Sequence, residues 1–167
     1  RFIVNQGTIR SNVSGHTIEL RGGGVTNEGT IEARNGGAIV ASGFTPRNWT
    51  NEASMYVGAG SSFTVTPDGS NMTTFEQTAA GSLTIELGGV DQVDRALVSL
   101  DEPMLGGTLN LVLVDGFAPP VGTTFTAVEY TSAAGNFATI TGLDIGNGTH
   151  FQATSTADGL VLEVVPG

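Results

Sequence analysis

The sequence predicts an all-β fold, a short β-solenoid of three to four coils followed by a β-sandwich-like capping sheet. Three observations predict it. A short motif returns at near-constant spacing through the first half, alternating apolar segments with Gly/Pro/Asn turns fill the second, and only residues 91–97 suggest even a short helical turn. Composition agrees. Of 167 residues, 39% are hydrophobic and only 13% charged, with 25 glycines, a balance that favours short strands and many turns over an average enzyme composition. A chain of this length can bury roughly 70% of its unfolded surface, and its apolar content at low charge is the opposite of a disordered composition.

The first half, residues 1–88, is the solenoid. Asn5-Gln6-Gly7-Thr8-Ile9, Asn27-Glu28-Gly29-Thr30-Ile31 and Asn51-Glu52-Ala53-Ser54-Met55 repeat at intervals of 22 and 24 residues. Between them runs a looser repeat: Gly15 to Leu20, Gly36 to Ala41, Gly60 to Val65 and Gly81 to Leu87. A unit this short cannot bury its own apolar side, so it stacks on copies of itself. In such a stack Ile9, Ile31 and Met55 form one inward column and Ile18, Ile39 and Phe63 a second. Asn5, Asn27 and Asn51 meet at a corner, where aligned amides bond along the column as a ladder. The same Asn-x-Gly chemistry also serves hairpin turns in an antiparallel meander. The near-constant period, and the recurrence of both halves of each unit, favour coils.

From residue 89 to 167 the pattern is read as an antiparallel capping or sandwich region continuous with the solenoid. Longer alternating segments occur at Leu97 to Leu100, Thr108 to Val114, Thr123 to Val128, Phe137 to Ile140, His150 to Ala153 and Leu160 to Val165. Pro119 and Pro120 make a rigid turn of residues 116–122. Gly81-Ser82-Leu83-Thr84-Ile85-Glu86-Leu87-Gly88-Gly89, Asp94, Leu105-Gly106-Gly107-Thr108-Leu109-Asn110-Leu111, Asp115-Gly116-Phe117-x-Pro119 and Gly122-x-x-Phe125 follow one another in order. Gly135-Asn136-Phe137-Ala138-Thr139-Ile140-x-Gly142-Leu143 and the final Gly159 to Pro166 complete the series. This resembles the C-terminal module of large secreted bacterial β-helix proteins, the autotransporter-like and adhesin-like group that includes exosortase-sorted surface proteins. The resemblance covers residues 81–166 well and the first coils loosely. It implies an extracellular or cell-surface setting and a role in display, adhesion or matrix assembly, and it carries over turn glycines and core positions with no catalytic residue.

Charge and residue usage narrow the partners. A formal charge of −10, from 16 acidic and 6 basic side chains, repels phosphate backbones and anionic lipid, so nucleic acid is not expected. No stretch approaches the ~20 apolar residues of a membrane helix, and no membrane insertion is expected. With no cysteine, disulfides and thiolate metal sites are excluded. The strand-like opening at Arg1-Phe2-Ile3-Val4 reads as a processed piece of something longer.

Little in the chain reads as catalytic, and no enzyme activity is expected. His16 and His150 are the only imidazoles, and neither lies in a nucleophile–base motif. Glu19, Glu28, Glu32 and Glu52 suggest an acidic strip on neighbouring coils, which glycoside chemistry would need as a pair at defined separation; a solvated face explains them as well. Asp91, Asp94, Asp101 and Glu102 concentrate hard oxygen ligands that suit Ca²⁺ but match no calcium-loop spacing, so no cofactor or metal site is assigned. Thr-x-Thr pairs, such as Thr64/Thr66 and Thr139/Thr141, set hydroxyls on one side of a strand, as packing pairs or as a sugar- or ice-facing surface. Glycan-acceptor triplets begin at Asn12, Asn48, Asn71 and Asn147.

What remains is assembly. An open solenoid end carries unpaired backbone groups that attract another strand. Phe2, Ile3 and Val4 at one end, and Leu160, Leu162 and Val164 at the other, are the expected assembly edges, through which subunits join head to tail into a filament. The alternative is an adhesin or carbohydrate-binding module in which Trp49 and Tyr56, with Tyr130, contact surface glycans.

Overall fold

The computed structural model describes residues 2–43, 49–66 and 75–167. It is a parallel β-solenoid of about five turns. The first coil is β1 (Ile3–Asn5), β2 (Thr8–Ser11) and β3 (Thr17–Gly22), and the second is β4 (Val25–Asn27), β5 (Thr30–Ala33) and β6 (Ala38–Gly43). The third is β7 (Trp49–Asn51), β8 (Ser54–Val57) and β9 (Ser62–Thr66), and the fourth β10 (Phe75–Gln77), β11 (Ser82–Leu87) and β12 (Leu97–Asp101). The fifth is β13 (Met104–Leu105), β14 (Thr108–Leu113) and β15 (Thr124–Thr131). Two short strands, β16 (Ala134–Gly135) and β17 (Thr139–Thr141), begin another coil. The chain then turns back through β18 (Asp144–Gly146), β19 (Thr149–Thr156) and β20 (Gly159–Pro166).

Each coil contributes one strand to each of three sheets. Sheet A runs β1-β4-β7-β10-β13-β16 and sheet B β2-β5-β8-β11-β14-β17. Sheet C runs β3-β6-β9-β12-β15 and continues through β20, β19 and β18. Register keeps like over like. Ile9 stands over Ile31 and Met55, and Ile18 over Ile39 and Phe63. Because side chains alternate across a strand, each coil sends every second residue inward to meet its equivalent one strand spacing away. Trp49, Phe63 and Phe75 thicken the core of the third and fourth coils, with ring centroids 5.0, 5.6 and 6.1 Å apart.

The region after residue 88 is not the sandwich that its alternation suggests. β12 pairs in parallel with β9 and β15, and β14 with β11 and β17, so parallel coiling continues beyond residue 88, to about five turns. Alternation has the same period in parallel and antiparallel sheets, and the return path that fixes strand direction leaves no mark in the period. The antiparallel ladders are those of β20 with β15, β19 with β20 and β18 with β19. The β18–β19 hairpin turns at Asn147-Gly148, both at positive φ (54° and 75°), as Asn-Gly in a tight hairpin turn does. These last strands lay Phe151, Leu160, Leu162 and Val164 into the same core as the coils.

Candidate functional site: the two ends of the coil stack

The ends of the stack differ. At the C-terminal end, Phe137, Phe151, Leu160, Leu162 and Val164 are buried, and Phe151 meets Phe125 edge to face at 5.9 Å. Tyr130 is buried too, its hydroxyl 2.5 Å from Ser155 Oγ on β19. A cavity of about 200 Å³ lies beneath this cap, between Leu105, Phe137, Ile140 and Leu160. At the N-terminal end nothing in the described residues plays that part. Ile3, Ile9 and Ile18 are only partly buried, whereas Val25, Ile31 and Ile39, their equivalents one coil on, are 3%, 1% and 0% exposed. β1, β2 and β3 are the edge strands of all three sheets there. A groove of about 220 Å³ opens beside them, lined by Arg10, Ser11, Asn12, Val13, His16 and Ile18.

The expected assembly residues separate accordingly. Phe2 and Val4 are 62% and 55% exposed and Ile3 is half-buried at the open edge. Leu160, Leu162 and Val164 lie in the core instead, on a strand with both edges occupied, by β15 on one side and β19 on the other. β20 is therefore no edge. Apolar strand residues mark an edge and a central strand alike, and here the hairpin with β19 seals the strand.

At the corner between sheets A and B, Asn5, Asn27 and Asn51 form a buried ladder. Asn5 Nδ2 donates to Asn27 Oδ1 at 2.8 Å, Asn27 Nδ2 to Asn51 Oδ1 at 2.9 Å, and Asn51 Nδ2 to Gln77 Oε1 at 2.9 Å. Each amide also donates to a carbonyl of the next coil: Asn5 to Thr30 O at 3.0 Å, Asn27 to Ser54 O at 2.9 Å, Asn51 to Ser82 O at 3.0 Å and Gln77 to Thr108 O at 3.1 Å. Gln77 is the rung that sequence reading misses. Ser82 lies five positions after it, against three from Asn51 to Ser54, so the corner motif is broken there; the spacing Phe75-x-Gln77, matching Trp49-x-Asn51 and Val25-x-Asn27, was the usable signal.

Of the other residues singled out from sequence, Trp49, Tyr56 and Glu32 serve the fold. Trp49 is 2% exposed, packed on Phe63 and Phe75, and unavailable to a ligand. Tyr56 is half-buried, its hydroxyl bonded to Glu86 and its ring 3.8 Å beneath the Arg34 guanidinium; burial and the Glu86 carboxylate raise its hydroxyl pKa. Glu32 is buried between Arg10 and Arg34, with Arg34 Nε at 2.8 Å. Burial works to raise its carboxyl, but the two guanidiniums outweigh burial and hold it below the usual carboxylate range. Glu28 accepts from Gln6 at 2.8 Å, Glu19 pairs with Arg21 at 2.6 Å, and Glu52 is exposed, so the four glutamates do not form one strip. Asp91 and Asp94 are exposed, Asp101 accepts from Thr131 at 3.2 Å, and no three acids or histidines among the described residues come together as a metal site. His16 is exposed with Nδ1 3.2 Å from Ser14 O, and His150 lies half-buried on β19. The acceptor triplets at Asn12 and Asn147 sit on exposed turns, while Asn48 and Asn71 lie outside the described residues.

Comparison with protein-family models, curated proteins and solved structures returns no match.

Proposed function

We propose that the chain is a structural module, set outside the cell or on a bacterial surface, that terminates a stack of β-coils and joins its neighbour through the N-terminal edge. One observation carries the reading: the core is closed by β18–β20 at one end and left partly uncovered at the other. An exposed edge strand is a template for pairing, and in a solenoid the interface that satisfies it is another coil. At the covered end β20 continues sheet C past the last coil and the edges of sheets A and B are only the short strands β16 and β17, so the module stops growth where a symmetric coil stack would continue it. The surface setting is supported by the resemblance over residues 81–166. The non-catalytic reading is supported by the side chains themselves, since the most buried carboxylate among the described residues, Glu32, is committed to two arginines.

Electron microscopy of the intact chain at rising concentration tests this reading. Particles of one module's length are expected throughout. Filaments that lengthen with concentration would show that the capped end accepts the open one and would contradict a terminating role.

A further inference from the structure

We propose that the N-terminal end is a directional docking surface for one more parallel β-coil that brings a carboxamide, asparagine or glutamine, to the ladder corner. This rests on reading the chain as a module open at that end. The ladder has a direction. Each side-chain amide in it donates to the next coil toward the C-terminal end, and every rung after the first receives an amide from the coil before it. Asn27 Oδ1 accepts two hydrogen bonds, from Asn5 Nδ2 and from Gly29 N. Asn5 Oδ1 accepts one among the described residues, from Gly7 N at 3.3 Å, while its Nδ2 is already spent on Asn27, Thr30 and Gly7. The Thr8 carbonyl, in register with the Thr30 carbonyl that receives Asn5, faces the same open side.

The end therefore presents two acceptors at one corner, one of them on a side chain 7% exposed, and calls for a donor with two N–H bonds in a fixed geometry. A primary amide has that shape and a carboxylate does not. The apolar part of the surface fits the same occupant. Ile3, Ile9 and Ile18 stand one to a sheet, so a single strand would cover one of them and a complete coil covers all three.

A second copy of the chain fits poorly in either orientation. Head to head, Asn5 Oδ1 meets Asn5 Oδ1, acceptor against acceptor. Head to tail, the approaching end offers Gly135, which stands over Leu105 at the rung after Gln77 and has no side-chain amide, and its β15 edge is taken by β20. The coil-to-coil contact repeated inside the molecule is thus the contact left incomplete at Asn5.

The test inserts a second copy of residues 3–24 ahead of Ile3 in the full chain, placing the added coil's asparagine over Asn5. Three forms are compared, with Asn, Gln or Asp at that added position. The Asn and Gln forms are expected to melt above the parent, and the Asp form at least about 4 °C below the Asn form, because two buried acceptors then face a carboxylate. Equal melting of the Asp and Asn forms, with the added coil protected from hydrogen exchange, would overturn the carboxamide requirement while leaving the open end intact. An added coil that stays unprotected in all three forms would sink the open-end reading and this inference with it. Sedimentation of the parent is expected to give a monomer; a dimer that the added coil dissociates would make a second copy the occupant and overturn the assignment.

Discussion

Glu32 shows most directly how a single side chain ties two coils together and sets a pH response. Its carboxylate lies between Arg10 of the first coil and Arg34 at the end of its own strand, and Arg34 passes the contact on to Tyr56 of the third coil. Because the two cations hold its folded pKa below the unfolded value against the opposing effect of burial, its contribution to stability is full above the ordinary carboxylate pKa. It is lost as pH falls through the lowered folded pKa. Glu32→Gln should therefore cost stability at neutral pH and progressively less in acid, the melting curves of variant and parent converging at low pH; a difference that stays constant from pH 7 to pH 2 would contradict this. The residues of the amide ladder differ in how visible they were. Asn5, Asn27 and Asn51 recur within a fixed motif, whereas Gln77 stands outside that motif and reaches the column with one more methylene. Trp49 is expected from the sequence as a ligand contact, but a lone Trp carries no information on which face of a strand it occupies; the parallel register with Phe75 places it in the core.

At the scale of the element, the turn after the ladder strand decides how closely coils approach. A Cβ added to Gly29 would overlap the Gly7 carbonyl oxygen of the coil before it, while one added to Gly7 meets nothing within 4 Å. The third coil carries Ala53 at this position, and the bond there, Ser54 N to Gly29 O, is 3.1 Å, against 2.8 Å for Thr30 N to Gly7 O beside Gly29. Gly29→Ala is thus expected to cost about 1 kcal/mol and Gly7→Ala close to nothing in denaturant unfolding. Equal costs would mean that the first coil is already covered. The strands themselves were legible in the first half, where periodic residues fall on the same sheet in each coil. Those of the second half were legible as strands and misread in direction, because alternation records only which side faces the core. The tight Asn147-Gly148 hairpin was the local sign that antiparallel pairing begins there and not at residue 89.

The whole molecule is a stack with a gradient. Each inner coil is held by two neighbours, the first coil by one, and the last by a neighbour and a hairpin that folds Phe151 and Leu162 into the core. In a linear array of this kind stability is a sum of unit and interface terms, so a coil with a single interface opens first, and sub-global opening of that sort is what hydrogen exchange reads. The architecture as a coil stack was legible because repetition itself is a sequence property. The closure of one end and not the other was not legible, since it depends on where β20 inserts and on no motif. Residue-level hydrogen exchange of the intact chain tests the asymmetry most directly. Amides of residues 25–33, 54–57 and 160–165 should be strongly protected and those of residues 3–11 should exchange first. Protection of the first coil equal to that of the second, or loss of protection beginning in residues 160–165, would contradict a stack that is closed at its C-terminal end and open at its N-terminal one.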